Sequence, residues 1–597
     1  MGNRTRFDKL LLAGSALAAA AYAAHGARSV APASHDEAVI RVVGLGYTGP
    51  FRALDTFVSS IAMLLPVGTR ALRAGLASAV VTGLATAASC EVARAAVAKV
   101  TQGSSKLGSS VAAAMVLATT LGSTWQTEGS APGGSVVGAL LVLLALATNM
   151  SMRHAHVSPA KDDPRDHVHH TQFMALLLGL SASYEPLVFA SVAAACAPWI
   201  ARFDRRAIVR VLVTFALGLA PLGFGFALSR RDPEMSLLPS AFGGALPEHG
   251  TSSGPSAREA FASLVSSEAS TVLVIAAAIG VVIAASSPLA RRSLISLVSV
   301  IVVGLLCVLV APSSAHTLAP VLAALVAVNV LAAIALASGV MYIARARIPF
   351  ARTSGALAVL LVLVLPARAA DESAARRKAR MPRAEATWNE LVWGPLAPSS
   401  VLLVSDSCTL RRLTASRATG ELRPDLLVVP TTNVRSRRAS HALAAEPKLT
   451  PLYRNLALGL FPDERSLSEI ASSRPLLLTF DPRWDRALAR HLVPVGLISR
   501  FEIEPRAAID RSRALDKLRP SRERLVHLTE HNADLTAATA SLLRVRAIAV
   551  AACAEREVLS LALEDLRPFS PNDAVANTLV RRMVTSKGPI EVRDLAR

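Results

Sequence analysis

The chain has 597 residues, of which 52% are hydrophobic, 18% are charged and 4% are aromatic. Soluble domains usually carry about 25% charged residues, so this composition argues against a series of soluble domains. It also excludes a disordered chain, a collagen and a coiled coil. Because the few aromatics leave Ala, Leu and Val to supply the hydrophobicity, the composition predicts membrane-spanning helices.

Net charge and cysteine content exclude further classes of protein. The net charge is +20 at pH 7. In a membrane protein such an excess indicates loops that set orientation and contact anionic lipid, rather than a nucleic-acid partner. Five cysteines in a chain of this length exclude a disulfide scaffold, and the absence of Cys-x-x-Cys argues against a structural zinc finger.

Apolar runs of spanning length follow one another up to about residue 370. The first, Leu10 to Ala24, follows Arg4, Arg6 and Lys9 and predicts a retained helix; a signal peptide is the alternative. The later runs bring the total to about eleven spans, with the pair near 172–201 interpreted as one broken helix pair. They lie at 72–97, 108–124, 134–151, 172–184, 186–201, 206–229, 270–287, 293–311, 317–343 and 354–369.

Loop charges predict the orientation of these spans. With the N-terminus inside, the inside loops hold most of the Lys and Arg, while the outside loops include Asp36 and Glu37 and the stretch 230–268. This distribution of loop charge predicts a multi-pass protein of the inner membrane whose C-terminal domain lies outside the cytoplasm. The basic cluster between Arg376 and Arg383 favours the opposite side.

The part after residue 370 is richer in charge and Pro. Apolar strands are predicted at 400–405, 425–430 and 475–480, separated by segments of helical length, which indicates a parallel sheet. Beyond residue 510 the apolar spacing is helical. We therefore predict a mainly α protein: a transmembrane helical bundle at 1–370, an extramembrane α/β domain at 371–510 and a helical extension at 511–597.

Two groups of side chains are candidates for chemistry at the outer membrane face. Asp36 and Glu37 are adjacent acids just outside the first span, where a carboxylate can act as a general base; a solvated acidic pair is the alternative. Arg230 and Arg231 end another span, where guanidinium groups can bind a lipid-linked phosphate or anchor in the headgroups.

Glu185 lies between two short apolar runs. Burying an ionisable group at that depth is costly, so it is a functional candidate, with a position at the membrane interface as the alternative.

Two further patterns favour ordinary loops. Gly44-Leu45-Gly46-Tyr47-Thr48-Gly49 follows a strand-like Val39–Val43 and fits a dinucleotide loop, but no acid follows at the required spacing. His154, His156, His167, His169 and His170 lie near three aspartates, a set that can bind a transition metal; a solvated loop is the better interpretation. No metal site is therefore predicted.

The order of several motifs resembles the protein O-mannosyltransferase-like GT-C membrane glycosyltransferases. Leu64-Leu65-Pro66-Val67-Gly68 is similar to the end of that family's first outside loop, in which Glu37 takes the glutamate position, while the His-Pro-Pro-Gly turn is missing. Trp125 and Glu128 look like a Trp and Glu of the next outside loop. Arg423-Pro424-Asp425, followed by an apolar strand, is similar to a strand of the family's C-terminal domain.

The resemblance implies transfer of a sugar, such as mannose, from a polyprenyl-phosphate donor to a hydroxyl acceptor on an exported protein. Glu37 or Asp36 would be the base, Arg230 and Arg231 would bind the donor phosphate, and Glu128 and Glu185 are further candidates. No cofactor is expected beyond the lipid-linked substrate, and a role for a divalent metal stays open. The alternative is an inactive membrane scaffold with a partner-binding outer domain; a transporter is disfavoured because few ionisable residues lie within the spans.

Overall fold

A computed structural model describes most of the chain. The described residues are 6–27, 36–43, 51–101, 103, 105–151, 164–200, 208–229, 271–310, 318–345, 351–379, 384–431, 437–553, 555–585 and 590–596.

Every regular element in the described part of the first 379 residues is a helix. The helices are α1 Arg6–Gly26, α2 Asp36–Val42, α3 Ala53–Ala62, α4 Arg70–Val100, α5 Lys106–Thr120, α6 Ser123–Ser130, α7 Val136–Ser151, α8 Pro164–Tyr184, α9 Pro186–Ile200, α10 Ile208–Gly218, α11 Ala220–Ser229, α12 Thr271–Ser286, α13 Arg291–Val310, α14 Leu318–Arg345 and α15 Ala351–Ala379. The predicted helical bundle is confirmed.

Within the described residues, six helices are long and apolar enough to cross a membrane, or seven if the bent pair α5–α6 is counted as one span. The expected total of eleven stays a prediction, because several of the predicted spans correspond to shorter apolar helices. One of the six, Ala533–Ala552, lies in the C-terminal part, where no such run was expected. Its apolar side chains pack against the sheet described below.

Small residues let the membrane helices approach closely. Gly179 on α8 faces Gly218 on α10, and a Cβ added to Gly179 would lie 2.2 Å from the carbonyl oxygen of Phe215. Gly280 on α12 meets the backbone of Leu331 on α14 in the same way. Close packing of this kind stabilises helix association in a membrane, where lipid surrounds the helices and the hydrophobic effect gives no driving force for association.

The run 39–43, which resembles a strand in the sequence, is not a strand. Residues 39–42 form the second half of α2, and the apolar residues of the run pack in one cluster with Ala74 of α4 and Ala415. Burial on all sides makes a short apolar run compatible with either helix or strand. The glycine-rich sequence at 44–49 lies outside the described residues.

The C-terminal part contains a five-stranded sheet surrounded by helices. Its elements are α16 Ala384–Trp393, β1 Val401–Val404, α17 Ser407–Thr419, β2 Leu427–Pro430, α18 Arg437–Ala445, α19 Thr450–Ala457, α20 Glu464–Ala471, β3 Leu476–Leu478, β4 Leu492–Val495, β5 Ile498–Phe501, α21 Ala508–Thr529, α22 Ala533–Ala552, α23 Arg556–Leu566 and α24 Ala574–Thr585. The three predicted strands and the later helical region are confirmed.

The strand order is β2-β1-β3-β5-β4. β1 pairs in parallel with β2 and β3, as expected, whereas β3–β5 and β5–β4 are antiparallel. The β4–β5 hairpin turns at Gly496-Leu497, where Gly496 has φ +61°, a conformation that favours glycine. The sheet and the helices beyond residue 511 share their cores: Leu478 lies in one cluster with Leu559.

The two parts of the chain meet on one face of the helical bundle. The predicted boundary at residue 370 falls inside α15, whose Ala370 carbonyl accepts a hydrogen bond from the Tyr22 hydroxyl at 2.5 Å. Further along α15, Arg376 donates to Ser123 at the start of α6. α2 packs on α17 of the sheet domain, so the sheet domain lies on the face that carries α2 and α6.

Candidate functional site

A buried cluster of ionisable side chains joins α3 to the junction of α8 and α9. Arg52 precedes α3 with a left-handed φ of 61°, and its backbone N–H donates to the Tyr184 carbonyl at 3.1 Å. A non-glycine residue in this conformation costs about 1–3 kcal/mol and is typical of functional sites. The contact brings together residues that are more than 120 positions apart in the chain.

The side chains of this cluster form a continuous polar network. The Arg52 guanidinium is ion-paired with Glu185 and lies 5.5 Å from the centre of the Tyr184 ring. The Tyr184 hydroxyl donates to Asp55 Oδ2 at 3.1 Å. All four residues are at most 4% exposed. We call Arg52, Asp55, Tyr184 and Glu185 the buried cluster.

Asp55 has the properties of a proton acceptor. It lies on α3, a ten-residue helix too short to cross a bilayer. Burial raises the pKa of its carboxyl to about 7, against the opposing effect of the Arg52 and Arg41 guanidiniums. Its Oδ1 has no hydrogen-bond partner among the described residues. A buried carboxyl with a perturbed pKa and an available oxygen is a candidate functional group.

Arg41 on α2 supplies a second positive charge beside Asp55. It is 5% exposed, and its Nε–H has no acceptor among the described residues. A buried guanidinium with an unused donor is suited to an anionic group such as a phosphate.

The structure describes the side chain of only one of the two adjacent acids that are catalytic candidates in the sequence. Asp36 Oδ1 accepts a hydrogen bond from Arg412 Nη1 of α17 at 2.9 Å, so this carboxylate joins α2 to the sheet domain. Glu37 lies on α2, and its side chain is outside the described part of the structure.

The remaining candidates fall in three different places. Glu185 belongs to the buried cluster. Glu128 is buried on α6, and its Oε2 accepts the backbone N–H of Ser135 at 2.8 Å, at the entry to α7. Arg230 and Arg231 lie outside the described residues, as does the first half of the histidine-rich loop. Among the residues the structure does describe, no group of three or more His, Cys, Asp or Glu side chains could hold a metal ion.

Sequence reasoning missed Arg41, Arg52, Asp55 and Tyr184. The available signal was the acid at position 55 in the otherwise uncharged segment 53–62, preceded by an arginine. Such a pair gives no indication of its partners until the α8–α9 junction is brought against α3.

Comparison with known proteins supports the fold. No known protein family matches the sequence, and no curated protein does. The structure is similar to that of ArnT from Cupriavidus metallidurans bound to undecaprenyl phosphate, with a TM-score of 0.50 and 14% identity, covering 82% of this chain and 97% of that chain. The apo structure of the same protein gives a TM-score of 0.49 and 14% identity over 83% and 97% of the two chains.

The chain has a GT-C fold. The apolar helices and this similarity together make it a multi-pass membrane protein.

Proposed function

We propose that the protein is a membrane glycosyltransferase that moves a sugar from a polyprenyl-phosphate donor to a hydroxyl acceptor. The observation that carries the proposal is the buried Asp55 carboxyl, with one available oxygen and a pKa near 7, beside the Arg41 guanidinium. The fold adds support, because the similar ArnT structure is bound to undecaprenyl phosphate.

In this proposal Asp55 is the general base. Its carboxylate takes the proton of the acceptor hydroxyl, whose oxygen forms a bond to the anomeric carbon of the sugar. The bond from that carbon to the phosphate oxygen breaks, and the lipid phosphate leaves with the electron pair. A base with a pKa close to the working pH is efficient in this role.

In the same proposal Arg41 binds the donor phosphate. The position of α3 in the membrane allows the lipid to reach this arginine. α3 carries Asp55 on its buried side, while Phe57 and Ile61 are 63% and 57% exposed on the other. This division is expected of a helix lying at the boundary of headgroups and acyl chains. The lipid tail of a donor can therefore remain in the bilayer while its phosphate reaches the cluster.

The finer parts of the proposal come from the sequence. The resemblance supplies mannose as the sugar and an exported protein as the acceptor, and the loop charges supply the location in the inner membrane with an extracytoplasmic sheet domain.

Turnover of a labelled donor tests the proposal. Purified protein in lipid is supplied with polyprenyl-phosphate mannose and a mixture of hydroxyl-bearing peptides, and release of mannose from the lipid is followed. We expect Asp55→Asn to lower the rate about 100- to 10,000-fold, because general bases contribute effects of this size. Glu37→Gln is the matched variant that removes the neighbouring candidate acid.

Two outcomes would contradict this assignment. Loss of turnover in Glu37→Gln with an active Asp55→Asn would transfer the base to α2. A wild-type protein that binds the donor and never turns it over would be an inactive scaffold that has kept the lipid site.

A further inference from the structure

A second polar site lies between α2 and the sheet domain. It is a cavity of about 870 Å³, within the ~300–1,000 Å³ range usual for small-molecule sites. Asp36 lines it from the membrane part, and residues of α16, α17 and α22 line it from the other side. None of the four residues of the buried cluster lines this cavity.

The charges around the cavity disfavour an anionic ligand. Of the two arginines that line it, Arg412 is paired with Asp36 at 2.9 Å and Arg544 with Asp573 at 2.6 Å. Glu530 and Asp534 add negative charge at the same wall. Because both guanidiniums are already neutralised, the cavity has no positive charge in excess for a phosphate.

The lining offers hydrogen bonds of both kinds next to apolar surface. Carboxylate oxygens accept, and the Thr409 and Ser541 hydroxyls both donate and accept. Arg412 Nε and Nη2 have no acceptor among the described residues, although the side chain is about nine-tenths buried. A ligand rich in hydroxyl groups and without net charge meets these donors and acceptors together.

We propose that this cavity binds a neutral saccharide. The cavity's size, its carboxylate and hydroxyl acceptors and the unused Arg412 donors favour that class over a phosphate, a nucleotide or an apolar lipid. Binding here requires no reaction at the buried cluster, so the site can be tested without turnover.

Cys408 provides a local reporter of occupancy. It lines the cavity and is exposed, whereas three other cysteines are buried and Cys553 is partly buried. Burial also raises the pKa of the Cys553 thiol to about 11, which suppresses its reaction with thiol reagents. A maleimide added to the folded protein should therefore modify Cys408 first.

The experiment measures the rate of this modification on the full chain in detergent, with and without sugar. The probes are methyl α-mannoside, methyl α-glucoside and maltotriose. We expect at least one to slow the reaction, by about tenfold at ten times its Kd. Ala537→Trp should abolish the protection, because Ala537 is an exposed residue of the cavity wall and an indole there would fill the space.

Ala508→Trp is the matched control, since Ala508 is also exposed on a helix but does not line the cavity. It should keep full protection. Asp534→Asn, which preserves the side-chain size, should weaken protection even if Ala537→Trp fails to fold.

An unchanged rate with all three sugars at up to about 50 mM, enough to saturate a site with a Kd near 1 mM, would overturn the proposal. Protection by trilysine but not by sugars would also overturn it, because the acidic wall would then select a cationic peptide.

Discussion

Asp55 combines a hydrogen bond from Tyr184 to one carboxylate oxygen with a second oxygen that has no hydrogen-bond partner among the described residues. Burial raises its pKa to about 7, so the carboxyl is increasingly protonated as the pH falls below 7. A general base works only in its unprotonated form. The activity of the protein should therefore depend on this one titration.

We expect kcat/KM for sugar transfer to be constant above about pH 7 and to fall about tenfold per pH unit below it. The measurement is the pH profile of donor turnover in wild type and Asp55→Asn. The residual rate of the variant should lack this acid limb. A wild-type limb near pH 4, where an ordinary exposed carboxyl titrates, would contradict the role of Asp55.

At the scale of residues, the sequence singled out one member of the buried cluster. Glu185 was singled out because an ionisable residue between apolar runs is costly, and it is indeed buried and paired with Arg52. The partners of Glu185 could not be predicted, because Arg52 lies 133 positions away and no local pattern joins them. Asp36 was a sound candidate by position, but its partner Arg412 lies 376 positions along the chain.

Among the elements, the contact of α8 with α10 depends on glycine. A methyl group on Gly179 would meet backbone atoms of Phe215 and Gly218, which cannot move aside as a side chain can. Overpacking of this kind usually costs about 1–3 kcal/mol. The helix pair must therefore separate to accept even the smallest side chain.

We expect Gly179→Ala to lower the thermal unfolding midpoint of the protein in detergent. Gly223→Ala on α11 is the control, because a Cβ there has no atom within 4 Å. It should leave the midpoint unchanged or raise it, since alanine favours a helix over glycine by about 0.5–1 kcal/mol. Equal midpoints for the two variants would show that α8 and α10 are not packed through these glycines.

The sequence predicted those helices and strands that have a strong local hydrophobic pattern, and it did not predict those that lack one. Long apolar runs and the strands 401–404, 427–430 and 476–478 have strong local patterns, and they formed as expected. The run 39–43 in α2 resembles a strand in the sequence because a short run of Val and Ile has no period that distinguishes a helix from a strand. The β4–β5 hairpin was missed because its strands are four residues each and its turn has a single glycine.

In the whole molecule, contacts fix which loops share a face. α2, α6 and the sheet domain lie together, whereas Lys99 at the end of α4 donates to Ser293 near the start of α13 at 2.9 Å. The contact places the end of α4 and the start of α13 on one face, as expected if both of the loops there are cytoplasmic. Loop charge predicts that the face with the sheet domain is extracytoplasmic.

Cys408 also tests this orientation. A membrane-impermeant maleimide added to intact spheroplasts should modify Cys408, because the residue is exposed on the sheet domain. Cys408→Ser should remove the signal. Labelling that appears only after the membrane is permeabilised would place the sheet domain in the cytoplasm, the side favoured by the basic cluster between Arg376 and Arg383.

The most direct test of the account is an experimental structure with a polyprenyl phosphate bound. We predict the phosphate within hydrogen-bond distance of the Arg41 guanidinium, next to Asp55, with the lipid tail leaving past α3. A phosphate held at Arg230 and Arg231, without contact to Arg41 or the buried cluster, would contradict the assignment of this cluster as the reaction centre.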